Sequence, residues 1–378
     1  MEESAVILKR PVNRRSLLRG GLLAGGAATL GAGLLTKGAS AFAQTDNASL
    51  NQGPLNKGDI AILRFLAAAE LIESDLWLQY AELGGIGTNL PIEVNQNQTL
   101  NPYQAALSNL DSDGPQYISS NTLDEMSHAA FINGYLESKG ADPVDLEEFT
   151  TLPGSSATGS SGNSRLTNLN NLNVDTSWFV RYRSTTNPDF GATFPQAITL
   201  NNVPAIPKND SVLFGDANHI QAIANIAAFH FGAIEQGGSS LYAAMSQKVS
   251  SPEVLQITLG IGGDEIAHFL EWVDFAGNGV QPTVAPFTDK VLGLTFPNFF
   301  DPLNPSIQPS LIFPVPAEFI SAKLPRCATI RPITDKFAGA RAAAAGLTAS
   351  GLFLGQSKKF FATLEALADA ADAAVRQV

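Results

Sequence analysis

The sequence predicts an all-α protein whose core is a four-helix bundle with one long connection between its second and third helices. Two observations predict this class. Four windows of the chain repeat apolar residues at spacings of three and four, which is the period of a helix with one buried face. The first and third windows also share a pattern, as do the second and fourth, so the chain carries two copies of a helical hairpin. Two hairpins joined by one long crossover can pack as a bundle.

Glycine, proline and capping residues set the expected ends of these helices. Asp59 is expected to cap the first helix, and Pro252 is expected to lie in the first turn of the fourth. The four windows cover residues 59–83, 121–139, 216–248 and 251–277. A last, alanine-rich helix is expected to begin near residue 335 or 346 and to end near residue 376.

The remaining segments favour loops over regular structure. The bundle domain is expected over residues 44–280, and its insertion 141–213 is rich in Asn, Ser, Thr, Gly and Pro, with a short strand expected at 178–183. A C-terminal extension, 281–378, opens with a tract rich in proline and phenylalanine, and the prolines exclude long helices there. We expect this extension to pack on the bundle, with Cys327 buried.

Residues 1–43 have the pattern of a twin-arginine signal peptide. Arg14 and Arg15 precede a Gly- and Ala-rich apolar run over residues 20–35, and Ala41-Phe42-Ala43 offers a cleavage site. The run is short and broken by glycine, whereas a membrane span needs about 20 apolar residues. The sequence therefore predicts export through the twin-arginine translocase, to the periplasm or otherwise out of the cytoplasm.

Charge and cysteine content exclude several kinds of partner and site. The chain has 23 Lys and Arg against 35 Asp and Glu. Residues 1–43 hold six of the basic and two of the acidic residues, so the rest carries 17 against 33, a formal charge of −16. Such an acidic protein is a poor partner for nucleic acid. One cysteine excludes a multi-cysteine metal site, and four histidines mean that a metal site must rely on carboxylates, which favours iron or manganese.

The repeat places candidate ligands at matching positions. Asp-Glu-x-x-His occurs in the second and fourth helices, with Glu125 and His128 in one copy and Glu265 and His268 in the other. Residues three apart on a helix lie on one face, one turn apart, so each Glu and His can reach the same ion.

The first and third helices each supply a further carboxylate. Glu235 is the only charged residue from 217 to 247, and burying a lone carboxylate is costly, which favours metal ligation over a surface glutamate. Glu73 holds the matching position in the first helix, because both glutamates follow an isoleucine and precede a tyrosine by seven residues. Glu70 shares the face of Glu73 one turn earlier and remains a rival ligand.

Together these positions form the ligand set of carboxylate-bridged dinuclear iron or manganese proteins, in which four carboxylates neutralise two divalent ions and two histidines complete the shell. The predicted metal ligands are Glu73, Glu125, His128, Glu235, Glu265 and His268. The predicted cofactor is two Fe or Mn ions.

Several neighbours of these ligands have structural interpretations. We expect Trp77 and Trp272 to lie in the core and His230 to be a hydrogen-bonded core or rim histidine. Tyr80 and Tyr242 are expected at helix interfaces, and the alternatives are a hydrogen bond to a carboxylate of the opposite helix or a redox relay.

Over residues 55–280, the chain resembles the ferritin-like domain family that includes the desiccation-related proteins of plants and bacteria. Glu70 to Glu73 with Trp77, Glu235 with Tyr242, and the two Asp-Glu-x-x-His motifs carry the resemblance. It implies a ferritin-like bundle with a dinuclear metal site. Relatives in the wider group include ferroxidases, peroxide-handling rubrerythrins and manganese catalases. This chain lacks the Cys-x-x-Cys module of rubrerythrin, and its crossover and tail differ from those of iron-storing ferritin.

Two functions are compatible with this resemblance. The first is an exported di-metal oxidoreductase or ferroxidase that consumes O2 or peroxide. The second is a non-catalytic bundle protein that protects against stress or desiccation. The sequence leaves open the choice between iron and manganese, the substrate, and whether the chain forms a homo-oligomer.

Overall fold

The computed structural model describes residues 54–88, 99–176, 198–276, 286–296, 314–316, 320–329 and 339–377. Most of these residues are helical and the strands are short, in agreement with the predicted all-α class. The chain divides into two units, Met1–Ala48 and Ser49–Val378, and all described residues belong to the second. The predicted signal peptide therefore lies outside the described residues.

Eight α-helices lie in the described ranges, and four of them match the predicted windows. The helices are α1 (Lys57–Gly84), α2 (Pro102–Leu110), α3 (Gly114–Ser138), α4 (Asp210–Leu213), α5 (Ala217–Ser246), α6 (Pro252–Ala276), α7 (Ala340–Ala349) and α8 (Lys358–Asp372). Helices α1, α3, α5 and α6 are the predicted long helices, although α3 begins at Gly114 rather than at residue 121. The short helices α2 and α4 lie outside the predicted windows.

The prediction that Asp59 caps the first helix is wrong, because α1 begins two residues earlier. The side chain of Asn56 is the cap and accepts a hydrogen bond from the backbone N–H of Asp59 at 2.9 Å. The buried carboxylate of Asp59 instead accepts the backbone N–H groups of Ser250 at 2.8 Å and Ser251 at 2.9 Å. Asp59 therefore satisfies backbone donors at the start of α6 and ties α1 to that helix.

Helices α1 and α3 form an antiparallel hairpin. Near the end of α1, the backbone oxygen of Trp77 accepts a hydrogen bond from the Thr122 hydroxyl of α3 at 3.1 Å. Near its start, Arg64 donates to the backbone oxygen of Asp142, just after α3, at 2.6 Å. Helices α5 and α6 form the second antiparallel hairpin. Near the turn between them, the Ser246 hydroxyl donates to the Thr258 hydroxyl at 2.9 Å, and the ring of Phe275 at the end of α6 lies 6.4 Å from that of Phe231 in the middle of α5.

Aromatic side chains from both hairpins fill the space between them. The rings of Trp77 and Trp272 stack at a centroid distance of 5.3 Å, and Phe231 packs against both, at 4.8 Å from Trp77 and 4.5 Å from Trp272. All three rings are fully buried, as predicted for the two tryptophans. The indole N–H of Trp272 donates to Asn121 at 2.7 Å, which joins α6 to α3. These contacts fix the position of one hairpin against the other.

Glycine at position 262 allows α5 and α6 to approach closely. A Cβ added to Gly262 would lie 2.7 Å from the Cβ of Tyr242 in α5. Gly260 and Gly263 have open space at the same position, so close packing of the two helices requires glycine only at position 262.

Gly262→Ala is expected to destabilise the protein by about 1–3 kcal/mol, because the new methyl group overpacks the contact with Tyr242. Gly260→Ala is the matched control. It makes the same change in the same helix, where the added Cβ meets no atom within 4 Å, and should stabilise by up to about 1 kcal/mol. Urea unfolding of both variants measures the difference. Equal effects would contradict the close approach.

The connection between the hairpins contains two pairs of short strands, at positions where the sequence predicted loops. Antiparallel pairs are formed by β1 (Leu152–Pro153) with β2 (Ser164–Arg165), and by β3 (Leu172–Val174) with β4 (Leu200–Val203). The strand predicted at residues 178–183 lies outside the described residues.

The C-terminal region forms two helices rather than the predicted single one. Helices α7 and α8 are separated by a turn in which Gly351 and Gly355 have φ of +82° and +100°, a conformation that favours glycine. The connection binds this turn, because the backbone N–H groups of Asn168 and Asn173 donate to the turn at 2.7 Å each. Helix α8 packs on α1, so this part of the extension contacts the first of the long helices.

Residues 286–296 of the proline-rich tract pack on α5. Strands β5 (Phe287–Asp289) and β6 (Leu294–Phe296) form a hairpin, and Phe296 is buried between Phe287 and Phe229 of α5. Strand β7 (Pro314–Val315) pairs with β8 (Cys327–Ala328). Cys327 is exposed, so the prediction that it is buried is wrong. Within the described ranges, no helix has the length and apolar character required to cross a membrane.

Candidate metal centre

Seven ionisable side chains, contributed by all four long helices, converge in the interior. All six predicted ligands are among them, and the seventh is the rival Glu70. Glu125, Glu235 and Glu265 are 0% exposed, and the other four are also buried. We call this set the acidic cluster: Glu70, Glu73, Glu125, His128, Glu235, Glu265 and His268.

Within the acidic cluster, oxygen and nitrogen atoms lie close enough together to hold metal ions. In each of three overlapping groups, one atom from every member lies within 4.8 Å of the others. The groups are Glu70, Glu125, His128 and Glu265; Glu125, Glu235 and His268; and Glu73, Glu125, Glu235 and Glu265. Glu125 belongs to all three groups, and Glu235 and Glu265 belong to two each, so Glu125 lies at the centre of the cluster.

The carboxylate of Glu125 faces both histidines, one with each oxygen. Its Oε2 lies 3.2 Å from Nδ1 of His128, which lies three residues later on the same helix. Its Oε1 lies 3.0 Å from Nδ1 of His268 on α6. A carboxylate placed between two imidazole nitrogens in this way can be shared by two neighbouring ions.

The second nitrogen of each imidazole contacts an aspartate of the other motif. Nε2 of His128 lies 3.2 Å from Oδ2 of Asp264, and Nε2 of His268 lies 3.3 Å from Oδ2 of Asp124. An aspartate that accepts the Nε2–H leaves the Nδ1 lone pair free to bind a metal. The aspartates are half-buried, so they lie at the edge of the cluster.

Both rival glutamates of α1 reach the acidic cluster, in different places. Glu70 shares a group with His128, and Glu70 Oε2 lies 3.4 Å from Nδ1 of that histidine. The other oxygen of Glu70, Oε1, accepts a hydrogen bond from the hydroxyl of Tyr242. Glu73 shares a group with three glutamates and no histidine. The structure therefore adds Glu70 to the set without removing Glu73. The hydrogen bond from Tyr242 of α5 to Glu70 of α1 is one of the alternatives that the sequence left open for this tyrosine.

Four glutamates of the acidic cluster have raised pKa values, because burial disfavours their charged forms. Burial raises the pKa of Glu70 to about 7. Burial and then the charges of neighbouring glutamates raise the pKa values of Glu73 and Glu265 well above the usual range. Burial also raises the pKa of Glu235, although His268 opposes the shift. Without a cation, the cluster therefore retains protons that a free carboxylate loses.

The two histidines respond in the opposite sense to the same charges. Burial alone lowers the pKa of His128, but hydrogen bonds to Asp264, Glu125 and Glu70 outweigh it and raise the pKa well above its usual range. For His268, burial is likewise outweighed by Glu235 and Asp124, and the pKa is raised. The cluster therefore has a strong preference for positive charge, which protons or metal ions can supply.

Orphaned atoms show that the donor set fits a metal. Within the described residues, neither carboxylate oxygen of Glu235 or Glu265 has a hydrogen-bond partner, and neither do Glu73 Oε2 and His268 Nδ1. A buried polar atom without a partner costs roughly 1–3 kcal/mol. This concentration of unpartnered atoms therefore favours a shared ligand in the cluster. Carboxylate oxygens with two imidazole nitrogens suit hard or borderline divalent cations, and the cluster can hold such ions.

Sequence reasoning missed the role of the two aspartates, although a signal was present. Asp124 and Asp264 occupy the same position in both copies of Asp-Glu-x-x-His. A residue type repeated beside a ligand in both halves of a repeat is a candidate for supporting that ligand. Only the packing of α3 against α6 shows that each aspartate serves the histidine of the other copy.

Asp264→Ala is expected to weaken metal binding by about 10–100-fold, because His128 loses the group that orients its ring. Since Asp264 is half-exposed, the fold should tolerate the change. Competition with a chromogenic chelator measures the affinity, and Glu137→Ala, at an exposed position of α3, is the control. Unchanged affinity in Asp264→Ala would contradict the orienting role.

Comparisons with models of protein families, with curated proteins and with solved structures return no match. The acidic cluster is therefore interpreted from its own geometry.

Proposed function

We propose that this chain is an exported ferritin-like protein that binds two iron or manganese ions in the acidic cluster and uses them in redox chemistry with O2 or peroxide. The observation that carries the proposal is the position of Glu125, with one oxygen at Nδ1 of each histidine. Around it, each histidine has a further glutamate of its own, Glu70 beside His128 and Glu235 beside His268.

The grouping of atoms supports a division into two sites. One ion would be held by Glu70, Glu125, His128 and Glu265. The other would be held by Glu125, Glu235 and His268. Glu73 and Glu265 each have an oxygen within 4.8 Å of oxygens of Glu125 and Glu235. Two divalent cations repel each other, and the shared carboxylates Glu125 and Glu265 would offset that repulsion.

The charge of the cluster supports metal binding over a purely structural role. Five buried glutamates face two histidines, so even two imidazolium groups leave a formal charge of −3 if all five carboxylates are ionised. No lysine or arginine ion pair to these glutamates occurs among the described residues. Two divalent cations would supply the missing positive charge.

The chain's own residues would prepare the site for reaction. Asp124 and Asp264 hold the imidazole rings with Nδ1 directed inward. The apolar core around Trp77 and Trp272 excludes water from one side of the cluster. Iron or manganese bound there would supply electrons to O2 or peroxide and a template that orients it.

The order of the helices supports the ferritin-like part of the proposal. Two antiparallel hairpins, α1 with α3 and α5 with α6, are joined by one long connection. In each hairpin, the first helix contributes only glutamate to the acidic cluster and the second contributes Glu-x-x-His. The twin-arginine pattern of residues 1–43 supports export.

The proposal is tested on protein purified after export. Elemental analysis should find about two Fe or Mn ions per chain, and protein loaded with iron(II) should consume O2 or peroxide faster than the same concentration of free iron(II). Well-folded protein that takes up no metal would overturn the proposal. Tight metal binding without consumption would overturn the redox part and favour the protective function.

A further inference from the structure

A half-open cavity of about 350 Å³ lies between α1, α5 and α7, and residues of β3 and α8 complete its wall. Large apolar side chains make up much of this wall: Phe65, Ile72, Ile234, Leu241, Leu347 and Leu364. An apolar cavity of even about 150 Å³ stays dry and takes up small apolar molecules such as xenon or benzene. The cavity therefore has the size and the lining of a site for such a molecule.

Several polar side chains of the wall are already paired within the protein. Gln236 donates to the hydroxyl of Ser240 at 2.8 Å, and the hydroxyl of Ser350 donates to a backbone oxygen of α7 at 2.7 Å. Nδ1 of His230 lies 2.7 Å from the hydroxyl of Tyr80, and the other ring nitrogen is buried. Two further polar side chains, in β3 and next to it, are exposed to solvent. The wall therefore offers few hydrogen bonds, which favours a ligand that needs none.

The cavity and the acidic cluster share part of a wall. Glu73 lines the cavity, and its carboxylate belongs to the group of four glutamates that contains no histidine. Gly238 of α5 also lines the cavity, and a Cβ added there would collide with the carboxylate of Glu265, which belongs to the same group. At these two positions, the wall is no thicker than one side chain or one helix backbone.

Small residues of α7 leave the space open. Ala342, Ala343 and Gly346 line the side of the cavity formed by α7, and a Cβ added to Gly346 would meet no atom within 4 Å. The side chains of α7 therefore do not fill the gap between α1 and α5.

We propose that this cavity takes up O2 and admits it to the side of the acidic cluster formed by Glu73 and Glu265. O2 is small and apolar and needs no hydrogen bond, so it suits the wall. Hydrogen peroxide would give up hydrogen bonds to water and find few in exchange, so the cavity disfavours it. Passage to the cluster requires a movement of the Glu73 side chain, whose Oε2 has no hydrogen-bond partner among the described residues.

This inference rests on the proposed function, because it names O2 as the substrate that reaches the metal ions by this route. The uptake of gas by the cavity, however, needs no metal. The two parts are therefore tested separately.

The first test uses xenon, an inert apolar gas, and metal-free full-length protein. The protein should shift the xenon NMR signal, and Ala343→Phe and Gly346→Leu, which fill the cavity from α7, should each remove most of that shift. Leucine at position 346 should preserve the fold, because its Cβ has open space. Ala345→Phe is the matched control at an exposed position of α7 outside the cavity wall, and it should leave the shift unchanged.

The second test uses the same proteins loaded with iron(II), with the metal content of each sample determined. The two filling variants should consume O2 severalfold more slowly than the unchanged protein, at the same metal content. Their consumption of hydrogen peroxide should stay at the level of the unchanged protein, because peroxide does not use this route. Ala345→Phe should match the unchanged protein with both oxidants.

A xenon shift that both filling variants retain would overturn the inference, as would O2 consumption that they do not slow. Equal slowing with O2 and with peroxide would overturn the preference for O2. Protein that binds xenon in the cavity but takes up no metal would refute the proposed function, and delivery of O2 with it, while the gas site itself would stand.

Discussion

Glu265→Gln is expected to reduce metal content from about two ions per chain to less than one and to weaken any remaining binding more than about 100-fold. Glu265 contributes an atom to the group around His128 and to the group of four glutamates, so its loss affects both sides of the acidic cluster. Removing a group that orients a metal ligand lowers metal affinity by about 10–100-fold, and removing a shared ligand should lower it further.

The same substitution should leave the metal-free protein at least as stable as before. Glu265 is fully buried, its oxygens have no hydrogen-bond partner among the described residues, and burial with neighbouring glutamates raises its pKa. Glutamine has the same shape, carries no charge and can donate to an adjacent carboxylate. Replacing the carboxylate should therefore relieve part of a cost of about 1–3 kcal/mol.

Elemental analysis and urea unfolding of chelator-treated protein measure the two effects. Glu82→Gln is the matched control, because Glu82 lies on α1 and forms an ion pair with the buried guanidinium of Arg165. This control should keep its metal and lose stability, the reverse of Glu265→Gln. If Glu265→Gln retained two ions, or unfolded the metal-free protein, the glutamate would be a structural residue and not a ligand.

The sequence predicts the helices and the ligands of this site because both follow from local periodicity. Helical spacing places each Glu-x-x-His pair, Glu125 with His128 and Glu265 with His268, on one helix face. The lone charge of Glu235 within an apolar helix indicates a ligand. All of these residues reach the acidic cluster.

Contacts between helices could not be predicted in the same way. By the repeat, Glu70 corresponds to Gly232, so the two halves differ at this position and internal similarity cannot show that Glu70 joins the cluster. For the same reason, Tyr242 contacts Glu70 whereas its counterpart Tyr80 contacts His230. These pairs depend on the register between α1 and α5, which side-chain packing sets.

The C-terminal extension escaped prediction for another reason. Its alanine-rich sequence supports a continuous helix, but Gly351 and Gly355 adopt positive φ where the connection binds the turn. Because of this break, α7 packs against α8 and contacts α5, while α8 packs on α1. A local pattern does not show that a distant segment will interrupt it.

Metal removal is expected to make the stability of the protein fall as pH rises from about 5 to about 8. The folded-state pKa values of Glu70, Glu73 and Glu265 lie above the value of about 4.3 for an unfolded glutamate. The folded protein therefore binds more protons than the unfolded chain above that pH, and this contribution to stability is lost as pH rises through the folded-state values. For Glu70, the interval ends at about 7.

The histidines act in the same direction. The folded-state pKa values of His128 and His268 are raised above about 6.5, so their contribution is complete below that pH and is lost as pH rises through the folded-state values. Metal ions compete with these protons, so metal affinity, and with it the stabilisation by metal, should increase over the same interval.

Thermal unfolding of loaded and chelator-treated protein between pH 5 and 8 measures both trends. At a free metal concentration about 100 times Kd, binding adds about 2.7 kcal/mol, which corresponds to roughly 5–10 °C in Tm. The difference in Tm should be small at pH 5 and reach this size near pH 8. Glu265→Gln should show a shallower decline without metal and little gain with it. A metal-free Tm that rises with pH would contradict the view that buried protons replace the metal ions in the acidic cluster.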